Sequence, residues 1–199
     1  MRRSALLLMV LVALAAAAPS IAADGVPGHI EAARQAYQKG DSARTARELQ
    51  AALAELQDRL GKGLADYLPP ALAGWQAEAP EIQGLNEVGG GLSVSRAFLR
   101  NDASLNASLI LDSPAVAAAA ALFTNPAAAA AQPNLRPVKI GGEDALLRWD
   151  PANKAGEVTM VLGGRVLLQI EGDNLAQSET LLDAAKGWNI AGIRKLVGI

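Results

Sequence analysis

The sequence predicts an α+β fold: an N-terminal helical hairpin, then an antiparallel β-sheet of about six strands covered by helices. Three observations predict it. From Leu49 to Leu64 leucines recur every three or four positions, the period of a helix with one buried face. From Leu92 the period drops to two, the signature of half-buried strands. Short pairs of turn formers, Asn101-Asp102, Gly141-Gly142 and Gly163-Gly164, separate the alternating runs, and connections this short join antiparallel neighbours.

Residues 1–23 have the layout of a cleaved signal peptide. Arg2 and Arg3 give a positive start, every residue from Ala5 to Ala18 is apolar, and Pro19 breaks the run. Ser20-Ile21-Ala22 offers a small-any-small cleavage site, with Ile21-Ala22-Ala23 a weaker one. A membrane span needs about 20 apolar residues, more than this run supplies. The expectation is export to the periplasm with no stable membrane anchor after cleavage.

Composition narrows the chemistry. The 199 residues contain no cysteine, which excludes an acylated lipobox, disulfides, thiolate metal sites and cysteine nucleophiles. Half of the residues are apolar, and about 176 remain after cleavage, enough for one core plus an appendage. Without Arg2 and Arg3 there are 16 basic and 20 acidic residues, dispersed without a basic stripe. That pattern argues against nucleic acid and against anionic lipid.

Residues 24–67 read as the hairpin. A short Gly/Pro linker over 24–28 precedes a helix from His29 to Lys39. Gly40-Asp41 interrupts it, and Asp41 or Ser42 caps a second helix over about 42–66. In that helix Leu49, Leu53, Leu56, Leu60 and Leu64 form an apolar stripe opposite Arg, Glu, Gln and Asp. The helix pair is expected to pack on the second domain or on a partner. Pro69, Pro70, Gly74 and Pro80 mark the change to residues 68–199, the sandwich domain, and a loop follows through Gly89-Gly90-Gly91.

Strands are expected at 92–100 and 104–112. In the second, Leu105, Ala107, Leu109 and Leu111 face one way, against Asn106, Ser108 and Asp112. Ser113-Pro114 suits the start of a helix, since Pro at its first position loses no hydrogen bond. That alanine-rich helix runs to about Thr124, Asn125-Pro126 stops it, and a second alanine run ends at Pro133. Four strands follow at about 136–140, 144–149, 156–162 and 165–171, then helices at about 176–186 and 190–197. Helices before, within and after the strands must cover the faces of the sheet.

Two resemblances follow from these residues. Ala33, Tyr37, Gly40, Asp41, Leu49, Ala52 and Leu53 fall where the tetratricopeptide family places small, aromatic and turn residues, though Ser42 replaces the usual aromatic and Thr45 the usual alanine. Only one such unit is present, so this is not an array. The stretch 68–199 resembles the PsbP-like α/β sandwich domains and an uncharacterised family of exported Gram-negative proteins. The likeness rests on Leu68-Pro69, Gly74-Trp75, Gly90-Gly91-Leu92-Ser93-Val94-Ser95-Arg96, Ser113-Pro114, Asn125-Pro126, Ile140-Gly141-Gly142 and Arg165 to Gly172. These are landmarks of turns and strands. The resemblance implies an envelope accessory protein with no established chemistry.

The residues supply few catalytic groups. His29 is the one histidine and is expected to be a solvated side chain. A Ser-His-Asp triad would have to use it, and no Gly-x-Ser-x-Gly elbow accompanies it. Gly89-Gly90-Gly91 precedes a strand, whereas a phosphate-binding loop follows one and opens a helix. Glu143-Asp144 reads as a solvated turn, and Glu171, Asp173 and Asn174 lack the spacing of a calcium loop. No catalytic residue, metal site or cofactor is therefore expected.

The candidate binding residues are Trp75, Tyr37 and Arg96. Trp75, near the junction, suits either a wedge between hairpin and sheet or a groove for a partner. The leading expectation is a non-enzymatic periplasmic accessory module that binds another envelope protein through its hairpin. The alternatives are a carrier of a lipid or small apolar ligand, in a pocket beside the alanine helix, and an enzyme of unrecognised class using an unseen cofactor or carboxylates such as Glu143, Asp144, Glu171 and Asp173.

Overall fold

The computed structural model describes residues 25–199, so the signal peptide expected over 1–23 lies outside the described residues. Two antiparallel helices come first, α1 (Gly25–Gln38) and α2 (Ser42–Ala65). Helix α1 starts before His29, and the expected linker is its first turn. Pro27 is tolerated there because the first N–H groups of a helix have no intrahelical partner. Asp41 caps α2, its side chain accepting from the Arg44 N–H at 2.9 Å.

Eight strands follow in one antiparallel sheet: β1 (Gln76–Ala77), β2 (Glu81–Gly84), β3 (Leu92–Arg100), β4 (Ala103–Leu111), β5 (Leu135–Ile140), β6 (Glu143–Asp150), β7 (Ala155–Leu162) and β8 (Val166–Asp173). Their spatial order is β1-β3-β4-β8-β7-β6-β5, with β2 also paired to β3. The fold is an α+β sandwich, with two strands more than the sequence pattern indicates. Both extra strands are short edge segments lying against β3. In β2 only Ile82 is apolar, and it meets α2 at Gly61, so no alternation could betray the strand.

Alternation sorts the sheet into two faces. Leu92, Val94 and Phe98 of β3, Leu105, Ala107, Leu109 and Leu111 of β4, Val158 and Met160 of β7 and Leu168 and Ile170 of β8 all enter the main core. Leu64 and Ala65 of α2 cover this face. So do α5 (Glu179–Ala185) through Leu181 and α6 (Ile190–Val197) through Ile193. Arg194 of α6 donates to both carboxylate oxygens of Glu143 at 3.0 Å, tying the last helix to the start of β6. Glu143 is thus a structural clamp rather than a solvated turn residue.

The other face is partly roofed by α3 (Pro114–Thr124) and α4 (Pro126–Ala130). Val116, Leu146, Thr159 and Leu167 are buried on that side. Beyond those helices it carries Ser95, Ser108 and Gln169, in register across three strands. Pro137 sits on the edge strand β5. Asn134 accepts from the Trp149 N–H, so the antiparallel alternation turns residue 137 outward, where a missing N–H costs no ladder bond and blunts the edge.

Candidate functional site

The helical hairpin is closed by small residues. Val26, Ala33 and Ala36 of α1 and Ala52 of α2 are buried between the helices. On one flank of this seam His29 Nδ1 lies 2.9 Å from Glu48 Oε2. The histidine is therefore half-buried and engaged across the hairpin, not solvated. The bond also holds the Glu48 carboxyl below the usual carboxylate range.

That bond fixes the orientation of both helices. Ile30 follows His29 and Leu49 follows Glu48, and each step turns the side chain about 100° around its helix. In an antiparallel pair of right-handed helices, the two rotations carry both residues to the same flank. Leu53 and Leu56 continue from Leu49, and Tyr37 lies two turns on from Ile30. The result is one apolar face on which Ile30, Leu49, Leu53 and Leu56 stand about half in solvent and Tyr37 is 74% exposed.

This face carries little charge. All seven charged side chains of α2 (Arg44, Arg47, Glu48, Glu55, Asp58, Arg59 and Lys62) leave from the rest of its circumference. Gln50 and Gln57 flank the stripe instead. On α1 the nearest charge is Arg34, which Glu31 holds at 2.7 and 2.8 Å. Hydrogen bonds from Arg34 and Gln35 lower the Glu31 carboxyl to about 2, so this pair stays ionised and self-balanced.

At its C-terminal end the stripe runs into a groove of about 320 Å³, between α2 and the chain leading into β3. It is lined by Leu53, Leu56, Leu60, Gly90, Leu92 and Leu111. Gln57 pins the groove wall by donating to the Gly91 carbonyl at 3.1 Å. Gly91 has φ +104°, and a Cβ there would stand 2.5 Å from the Leu111 carbonyl oxygen. The glycine triplet is thus a fastened turn that lets two backbones meet. Asp112 at the rim is occupied by Arg165 through bonds of 2.8 and 2.6 Å, which hold its carboxyl low. The groove can bury apolar surface but has no free acid or base.

The three residues expected to bind do not converge. Tyr37 is on the open face of the hairpin. Trp75 is 7% exposed in the main core, where it wedges between the end of α2 and β3. Arg96 lies half-buried on the helix-covered side of β3, between Val94 and Phe98, and its Nε has no hydrogen-bond partner among the described residues. Sequence reasoning did not single out Ile30, and it named Leu49, Leu53 and Leu56 as a stripe without showing that they stay uncovered. The available signal was their spacing of four and three, flanked by glutamines instead of charges.

A second cluster occupies the open polar face, where Asp150, Glu157, Glu171 and Asp173 surround a shallow depression with Arg148. Among the described residues, no group of three or more His, Cys, Asp or Glu side chains is placed to hold a metal ion. Burial pushes the Glu171 carboxyl up, and Glu157 and Asp173 add repulsion. A carboxyl raised on folding leaves stability intact below its unfolded pKa and removes some as pH rises through the folded value. Glu171→Gln is therefore expected to raise the urea midpoint slightly at neutral pH, with the gain vanishing at about pH 3. An equal or lower midpoint at neutral pH would contradict this account.

No protein-family model, curated protein or solved structure matches this chain.

Proposed function

We propose that this chain is a non-enzymatic accessory module of the cell envelope, whose helical hairpin docks an amphipathic helix of another envelope protein. The observation that carries this reading is the open stripe of Leu49, Leu53 and Leu56 beside Ile30, continuous with the groove at Leu60 and Leu92. The stripe is about 10 Å long at 1.5 Å per residue, and the groove extends it. Apolar residues spaced four and three apart form the seam that another helix fills by knobs-into-holes packing. The near absence of charge favours an apolar stripe on the partner over a charged segment. The leader over 1–23 supports export, and with it a partner in the periplasm. The PsbP-like resemblance of 68–199 fits an accessory role, and α2 shares its core with the sheet through Leu64 and Ala65, which would hold the hairpin in place.

The test uses the processed chain carrying a photo-crosslinking residue at position 53, 56 or 99, applied to envelope extract. Position 99 lies on the opposite side of the sheet and serves as the control. The expected result is one adduct from 53 and 56 and none from 99. Leu53→Asp/Leu56→Asp is expected to weaken binding of the purified partner at least 100-fold, since buried anchors at an interface each contribute 1–2 kcal/mol or more. The melting temperature should hold, because both side chains are already half in solvent. Undiminished binding by the double variant, or no adduct at 53 and 56, would remove the proposal.

A further inference from the structure

We infer that the space beneath the two alanine helices is a binding site for a small, uncharged, apolar molecule. The cavity measures about 520 Å³, within the ~300–1,000 Å³ typical of small-molecule sites. Its walls are Leu122 and Phe123 of α3, Ala129 of α4, Leu135 and Pro137 of β5, and Leu146 of β6. The strand residues alternate with Val138, Ile140, Ala145 and Leu147, which enter the main core, so the cavity lies on the opposite face of the sheet.

Alanine explains why the space stays open. Protein interiors pack to the density of organic crystals, and a roof meant to seal this face would carry leucine or isoleucine. Residues 117–121 and 127–131 are instead all alanine. Alanine gives the helices their strength without bulk. Leu122 and Phe123, the two bulky residues at the end of α3, form one wall of the space instead of filling it. Leu146 below is nonetheless removed from water.

The charges at the mouth determine the ligand class. Asp144 has a carboxylate on this side, and Lys139 Nζ lies 2.7 Å away and balances it. Arg136 pairs across from Leu147, so alternation assigns its side chain to the other face and its backbone to the cavity wall. A charged ligand would lose its hydration and find no free counter-charge. An uncharged molecule, ring or short chain, would lose only apolar hydration. At most one polar group would be met, by the Lys139–Asp144 pair.

The test titrates the whole processed chain with the neutral dye N-phenyl-1-naphthylamine, followed by fluorescence, beside the anionic dye 8-anilinonaphthalene-1-sulfonate. The expected result is saturable binding of one neutral dye per chain, with the anion bound at least tenfold more weakly. Ala129→Phe and Leu146→Trp fill the space, and each should weaken neutral-dye binding at least tenfold without lowering the melting temperature. If one of them melts early, the other decides. Leu53→Asp/Leu56→Asp should leave the affinity unchanged, which separates this site from the hairpin face. Absent or non-saturable binding, equal affinity for the anion, or loss of binding only in the hairpin variant would each overturn the inference.

Discussion

Gly156→Val is expected to cost about 3 kcal/mol or more of folding stability, at the upper end of what overpacking a core costs. A Cβ at this position would lie 2.4 Å from the Arg148 carbonyl oxygen, 2.9 Å from the Trp149 ring and 3.0 Å from a Leu181 methyl. The first of these neighbours is backbone and cannot swing aside. Gly156 pairs with Gly172 on the adjacent strand. A Cβ on Gly172 would meet Leu175, Leu105 and Leu181 at 2.6 to 3.0 Å. The two glycines together make a notch in the sheet, and Leu175 and Leu181 fill it with essentially no exposure. This is how a helix as short as α5 is fastened. Gly172→Ala is expected to cost less than Gly156→Val, because its close neighbours are the ends of leucine side chains. Urea unfolding of the three proteins gives the order. A Gly156→Val midpoint within error of the parent would show that the notch is not needed.

The notch was not legible in the sequence, where Gly156 and Gly172 are merely two of 19 glycines. What could be read was whatever a single local constraint dictates. Strand β4 sits with one side in the core, so burial alternates along its whole length, and that alternation shows in Leu105, Ala107, Leu109 and Leu111. Ser113 and Pro114 meet the steric demands of a helix start and end up there, with Ser113 Oγ accepting from the Ala115 N–H at 3.4 Å. Strand β2 was read as loop because it is held by β3 and by the contact of Ile82 with Gly61, both tertiary. The same limit applied to the site. The leucine period of α2 shows that one side of the helix is apolar. It does not show that Leu64 is sealed in the core while Leu49, Leu53 and Leu56, up to four turns away, remain uncovered. Which part of a stripe is covered depends on where the sheet ends, and no local pattern encodes that.

Trp75→Ala is expected to cost about 3–5 kcal/mol, the range for deleting a large buried aromatic ring. Trp75 belongs to the same core cluster as Leu64, Ala65 and Leu68, at the end of the hairpin, and as Phe98 of the sheet. The boundary between residues 67 and 68 therefore passes through shared packing. The Trp75 N–H donates to the Leu72 carbonyl at 3.0 Å, which aims the chain into β1, and Gln76 pairs with Leu99. Arg100 places its guanidinium 5.2 Å from the ring centroid, covering the outer side. That contact contributes about 0.5–1 kcal/mol, less than the ring's burial. Arg100→Ala should therefore be mild and Trp75→Phe intermediate. Since α2 and the sheet share one core, Trp75→Ala should unfold in a single transition at lower urea. Hydrogen exchange should rise most in the last turns of α2. A loss below about 1 kcal/mol would mean that the ring is not the wedge. A separate early transition of the hairpin would mean that it folds apart from the sheet, and that the docking face is carried on a mobile arm instead of a fixed one.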